Sequence, residues 1–225
     1  MKLMISNYST KSAALGIVVA GLMSATAADA ATLIKGDNFV FDKTNSTQTL
    51  SVRPDSFYNL TMGYKGWTHH SAWMSMKLKK GNLYTITATA DAAAAGLHPG
   101  VACWYRPQGA GLVSVDYAYA HFYNQFTSII APNQVDEADQ KKLGTMKMYF
   151  ELNGYDGDGM EYPLGYQYQQ GNVVSVLDGA EGKVEISFVA KSSGMHQCVV
   201  GGINPDPGTV SLSTKYPVTV SVGGL

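Results

Sequence analysis

The sequence predicts an all-β fold, a two-sheet β-sandwich with long ordered loops and little helix. Short runs alternate apolar and polar side chains and are rich in β-branched and aromatic residues. Gly, Asn, Asp and Pro punctuate those runs, and one polar stretch alone has helical character. No period of roughly 20 to 50 residues recurs, which argues against solenoids and propellers and leaves two packed sheets as the economical architecture.

The elements follow in chain order. Lys2 and Lys11 precede an apolar run from Ala13 to Met23, and Ala28-Asp29-Ala30 then forms a small-x-small cleavage site. Residues 1–30 thus read as a secretory signal peptide and 31–225 as a single domain. The run is too short to cross a bilayer, which takes about 20 apolar residues, and no other segment approaches that length, so no membrane span is expected.

Strands are expected over 47–52, 71–78, 83–90, 100–106, 147–152, 183–190 and 216–222. Lys79-Lys80-Gly81-Asn82 reads as a hairpin turn with Gly81 free to take positive φ. The polar stretch 133–142 carries acidic residues ahead of basic ones and is expected to form a short surface helix. Residues 153–172, with glycines at 154, 157, 159, 165 and 171, read as a long ordered loop with room for one short strand.

Charge narrows the partners. A net charge of −1 with 15% charged residues supplies neither a basic stripe for a phosphate backbone nor an acidic tail, so nucleic acid is not an expected partner. The two cysteines, Cys103 and Cys198, fit one disulfide in an oxidising compartment; two free thiols acting as soft metal ligands are the alternative.

All five histidines follow the signal segment, and three of them lie in two compact segments, Gly66-Trp67-Thr68-His69-His70 and Leu97-His98-Pro99-Gly100. Trp67 and His69 share a face if their segment is extended, while His70 points away. Two imidazoles from different loops suit Cu(I), which tolerates low coordination numbers. His98 is the best second donor, because the 83–90 strand and the 91–97 loop can return the chain toward 69, and Pro99 holds His98 extended. The plainer reading makes each histidine a rim residue bonded to backbone. Trp73, Trp104 and Tyr105 read as core aromatics. Met62, Met74 and Met76 are soft donors close in sequence, although Met is usually core filler.

Gly66-Trp67-Thr68-His69-His70-Ser71-Ala72-Trp73, Leu78-Lys79-Lys80-Gly81, His98-Pro99-Gly100-Val101 and Trp104-Tyr105-Arg106 together resemble the copper-repressible, surface-associated copper-binding proteins of methanotrophs, the CorA and MopE type. The similarity runs over about 65–107. It implies one tightly held copper, mainly Cu(I), bound by two histidines and a tryptophan oxidised to kynurenine. The family's Trp-x-His spacing matches Trp67 and His69. His98 is taken as the second histidine, with His70 and His121 in reserve. Kynurenine opens the indole and offers an aromatic amine that the indole N–H cannot provide. The resemblance further implies export to the outer surface or periplasm, and an oxidising haem protein as the partner that modifies Trp67.

The segment Asn153-Gly154-Tyr155-Asp156-Gly157-Asp158-Gly159-Met160-Glu161 has the alternating oxygen donors of half a calcium loop, with Asp156 and Asp158 as ligands; a plain acidic turn is the alternative. No nucleophile elbow, His-Glu-x-x-His or phosphate loop is found, so no enzyme is expected. Two other functions remain open. One is carbohydrate or cell-surface binding through Tyr117, Tyr119, Phe122 and Tyr123, and the other is a copper or zinc enzyme with an open coordination position.

Overall fold

The structure, a computed structural model, describes residues 38–59, 64–65, 70–90, 96–108, 128–135, 142–157, 172–203, 211 and 213–225. Within them lie thirteen strands: β1 (Asn38–Phe41), β2 (Thr47–Val52), β3 (Tyr58–Asn59), β4 (Tyr64–Lys65), β5 (Ala72–Leu78), β6 (Leu83–Ala90), β7 (His98–Arg106), β8 (Ile129–Val135), β9 (Lys142–Tyr155), β10 (Val173–Ala180), β11 (Lys183–Val189), β12 (Gly194–Ile203) and β13 (Tyr216–Gly223). They form a six-stranded sheet in the order β1-β5-β12-β7-β9-β8, a five-stranded sheet in the order β10-β11-β6-β13-β2, and the small β3-β4 pair. The two larger sheets stack as the expected sandwich. No helix among the described residues is long and apolar enough to cross a membrane.

The two sheets differ in what they bury. In the five-stranded sheet β11 alternates half-buried and buried residues, the mark of one face on the core and one toward solvent. Leu50, Val52, Ile86, Ala88, Val184, Ile186, Val218 and Val220 supply that core face. They meet Met74, Met76, Val101, Leu152, Val200 and the cysteine pair from the six-stranded sheet. The six-stranded sheet is buried on its other face as well, where Trp73, Ala102, Trp104 and Val199 are inaccessible to water. Trp104 stands between Trp73, at 6.1 Å between ring centroids, and Phe150, at 5.8 Å. Those tilted and edge-on contacts stabilise beyond simple burial.

Cys103 and Cys198 face each other in the β7–β12 register and are joined by a disulfide. It ties positions 95 apart, a constraint on the unfolded chain that typically contributes about 2 to 4 kcal/mol. The free-thiol alternative is thereby removed.

Three local expectations need correction. Gly81 does take positive φ, +83°, and Asn82 N donates to Lys79 O at 3.2 Å. The turn nevertheless joins no hairpin, since β5 lies in one sheet and β6 in the other. It is the corner where the chain changes layer. Of the expected helix over 133–142, residues 136–141 lie outside the described residues and the rest is strand: β8 runs to Val135 and β9 begins at Lys142, with Val135 paired to Lys142. Edge pairing overrides the weak local preference of a polar stretch. Residues 153–155, expected to open a loop, continue β9, because Gly100, Val101 and Ala102 of β7 pair with them.

Candidate metal centre

The site grows from one end of the β7–β12 pair. Gly96, at φ +91°, turns the chain into β7, whose first residue His98 sits opposite Ile203, with Pro99 opposite Gly202. A turn formed by 53–57 packs onto this end. Phe57 N donates to Gly202 O at 3.0 Å, Gly202 N donates to Ser56 Oγ at 3.0 Å, and Ser56 Oγ donates to Arg53 O at 2.7 Å. The approach needs bare backbone: a Cβ on Gly100 would collide with the Phe57 ring, and one on Gly202 with Leu97 and the Arg53 carbonyl.

Arg53 then captures the other histidine segment. Its backbone N donates to His70 O at 3.1 Å, and its Nη1 lies 2.7 Å from His70 Nε2. A guanidinium can only donate, so the His70 Nε2 lone pair is already engaged. His70 is thereby disfavoured as the reserve ligand through that nitrogen, and Arg53 holds His70 itself at the His98 end of the sandwich.

His98 is almost fully buried, with Nδ1 2.8 Å from Asp156 Oδ2; the side chains are 4% and 0% exposed. Asp156 is fixed from both sheets. Its N donates to Pro99 O at 2.9 Å, and its Oδ2 accepts the Gly182 amide at 2.6 Å, Gly182 being in the β10–β11 turn. This carboxylate is turned to a histidine and an amide inside the protein, the arrangement that orients metal-binding imidazoles. With Nδ1 facing Asp156, Nε2 is the nitrogen through which His98 could hold an ion. The donor chemistry fits a copper ligand at His98.

Other residues singled out from the sequence are placed differently. Trp67, His69, His121, Met62, Asp158 and the aromatics Tyr117, Tyr119, Phe122 and Tyr123 lie outside the described residues. Met74 and Met76 belong to the core between the sheets. Among the described residues no group of three or more His, Cys, Asp or Glu side chains is arranged to hold a metal.

One buried pair escaped the sequence reading. His196 Nε2 lies 3.1 Å from Glu151 Oε2, and its Nδ1 lies 3.2 Å from Gly194 O. The pairing of β7 with β9 slips between Cys103 and Trp104, which pair with Leu152 and Phe150. Glu151 is the extra residue of that bulge and turns inward. The pairing register, not local sequence, creates this contact.

The model of the copper(I)-binding protein CorA-like family matches residues 29–209. The chain belongs to that family. The solved structure of CorA from Methylomicrobium album BG8, a surface-associated copper-binding protein important in that organism's copper acquisition, is 40% identical and superposes with a TM-score of 0.66. The match covers 83% of this chain and 97% of that one. MopE, a secreted protein of Methylococcus capsulatus in which an oxidised tryptophan facilitates copper binding, is 17% identical with a TM-score of 0.50, over 83% of this chain and 86% of its own. At that identity the likeness is one of fold. Among curated proteins, none matches the chain. The resemblance read from the 65–107 segments thus extends over most of this family member.

Proposed function

We propose that this family member is exported to the outer surface or periplasm and holds one Cu(I), for acquisition or handling rather than turnover, through His69, His98 and Trp67 opened to kynurenine. The observation that carries this reading is the buried His98, backed by Asp156, at the same end of the sandwich where Arg53 holds His70. Covalent geometry keeps His69 within about 3.8 Å of His70 between α-carbons, and Trp67 within about 11 Å. Family membership supports copper as the ion, and the oxidised tryptophan of MopE supports kynurenine as a ligand chemistry available to this fold. A haem protein that adds O2 across the Trp67 indole double bond, followed by hydrolytic loss of the ring carbon as formate, would supply the aromatic amine.

The test is metal analysis and peptide mass spectrometry on protein purified from its native host. One copper per chain is expected, with the Trp67 peptide about 4 Da heavier than encoded, as opening an indole to an aromatic amine and ketone requires. Intact Trp67 and no copper under copper-replete growth would overturn the reading.

A further inference from the structure

Asp156 follows β9 directly and is fully buried, and every contact described for it above runs to protein, not to solvent. The 2.8 Å separation from His98 Nδ1 is short, while the direction departs from that of a linear hydrogen bond. Distance decides between the two. Two bare lone pairs so close would repel strongly in a low-dielectric interior, so the imidazole is favoured with its proton on the nitrogen that faces the carboxylate. Oδ2 already accepts the Gly182 amide, which keeps it an acceptor and leaves that proton on Nδ1.

We propose that Asp156 is the positioning residue of this centre. It holds His98 in the Nδ1–H tautomer, turns the Nε2 lone pair outward, and fastens the ring to both sheets before any ion arrives. The inference rests on the reading of His98 as a copper ligand. The fastening is specific: the Pro99 carbonyl fixes the Asp156 backbone from the six-stranded sheet, and the Gly182 amide fixes its carboxylate from the five-stranded one. Gly182 is itself held, since its carbonyl accepts Ala90 N at 2.7 Å and its φ of +79° suits glycine. A ligand whose tautomer and orientation are set in advance loses less freedom on binding. The same contacts explain why the Asp-Gly-Asp-Gly segment begins with a carboxylate, without calling on calcium at Asp156.

The experiment uses the metal-free protein and its Asp156→Ala, Asp156→Asn and His98→Ala variants, all from the same host. Long-range 15N–1H correlation of the neutral His98 ring reads the tautomer, and competition with a chromophoric chelator reads Cu(I) affinity. The Nδ1–H pattern is expected in the unaltered protein and in Asp156→Asn, whose amide oxygen still accepts, and is expected to be lost in Asp156→Ala. Affinity should fall about 10- to 100-fold in Asp156→Ala, the usual effect of removing such a partner, and by a smaller factor in Asp156→Asn.

An Nε2–H pattern in the unaltered metal-free protein overturns the assignment whatever copper does. A lost tautomer with unchanged affinity in Asp156→Ala overturns the positioning role. Should that variant fail to fold, Asp156→Asn decides, because an affinity equal to that of the unaltered protein overturns the proposal. Unchanged affinity in His98→Ala sinks the ligand reading instead, and leaves the tautomer result standing by itself.

Discussion

Two buried histidines, each facing a buried carboxylate, mark the two ends of the β7–β12 pair, and they are built to opposite effect. His98 begins β7, while His196 pairs with Tyr105 seven residues further along that strand, about 23 Å away at strand rise. At His196 both ring nitrogens face acceptors, Glu151 Oε2 and Gly194 O, and the ring leans on Tyr105 with centroids 5.4 Å apart. At His98 the carboxylate takes Nδ1. The same two residue types therefore make a closed structural contact at one end and, at the other, a contact in which the carboxylate faces one ring nitrogen, the arrangement on which the proposed ligand role of His98 rests. Residue type does not separate these roles; the partner of the second nitrogen does.

The largest effect on stability should come from opening the closed pair. His196→Ala strands Glu151 in the interior, and breaking a buried pair by removing one partner costs about 3 to 5 kcal/mol. Chemical denaturation should show that loss, while copper per folded chain stays unchanged. Copper lost along with stability would mean that the two ends are coupled and the division of roles is wrong.

A smaller effect is expected from the disulfide, which crosses β7 and β12 between the two histidines. Replacing both Cys103 and Cys198 with Ala should lower stability by about 2 to 4 kcal/mol. The His98 tautomer should be unmoved, because Asp156 is fastened through Pro99 and Gly182 and not through the cysteines. A changed tautomer would show that strand pairing, and not Asp156, positions the ring.

These contrasts also explain what the sequence made legible. Strands 47–52 and 83–90 coincide with β2 and β6, because one face of their sheet meets solvent and the alternation survives. β12 was not anticipated. It is buried on nearly every residue, so no alternation marks it, and its Gly201 and Gly202 are there because Phe57, Ser56, Leu97 and Arg53 press against the backbone. β10 also went unread; it is an edge strand whose Val174 and Leu177 are 64% and 55% exposed. At the site, the two histidine segments stood out through their resemblance to a family. Asp156 was visible only as an oxygen donor in a local pattern, since its link to His98 depends on β9 running antiparallel to β7 so that Tyr155 meets Gly100. Glu151 was hidden for the same reason, through a bulge.

A third carboxylate sharpens the comparison because it has no histidine and no burial. Asp42 is held below the usual carboxylate range first by the Thr44 hydroxyl, then by the backbone amides of Asn45 and Thr44. Its Oδ1 accepts Thr44 Oγ1 at 2.7 Å and those amides at 2.9 and 2.8 Å. A carboxylate whose folded value is lowered contributes stability that is present above the unfolded value and lost as pH falls through the folded one. The loss should therefore fall in the acid range, below the ordinary value of 3.8. Full solvent exposure makes it the smallest of the three effects. An NMR titration of Asp42 is expected to give a midpoint under 3.8, and Asp42→Ala to change stability less than either variant above. A midpoint at or above that value would mean that the turn does not hold its hydrogen bonds in solution. An Asp42→Ala effect as large as that of His196→Ala would mean that burial is not what gives the paired carboxylates their weight.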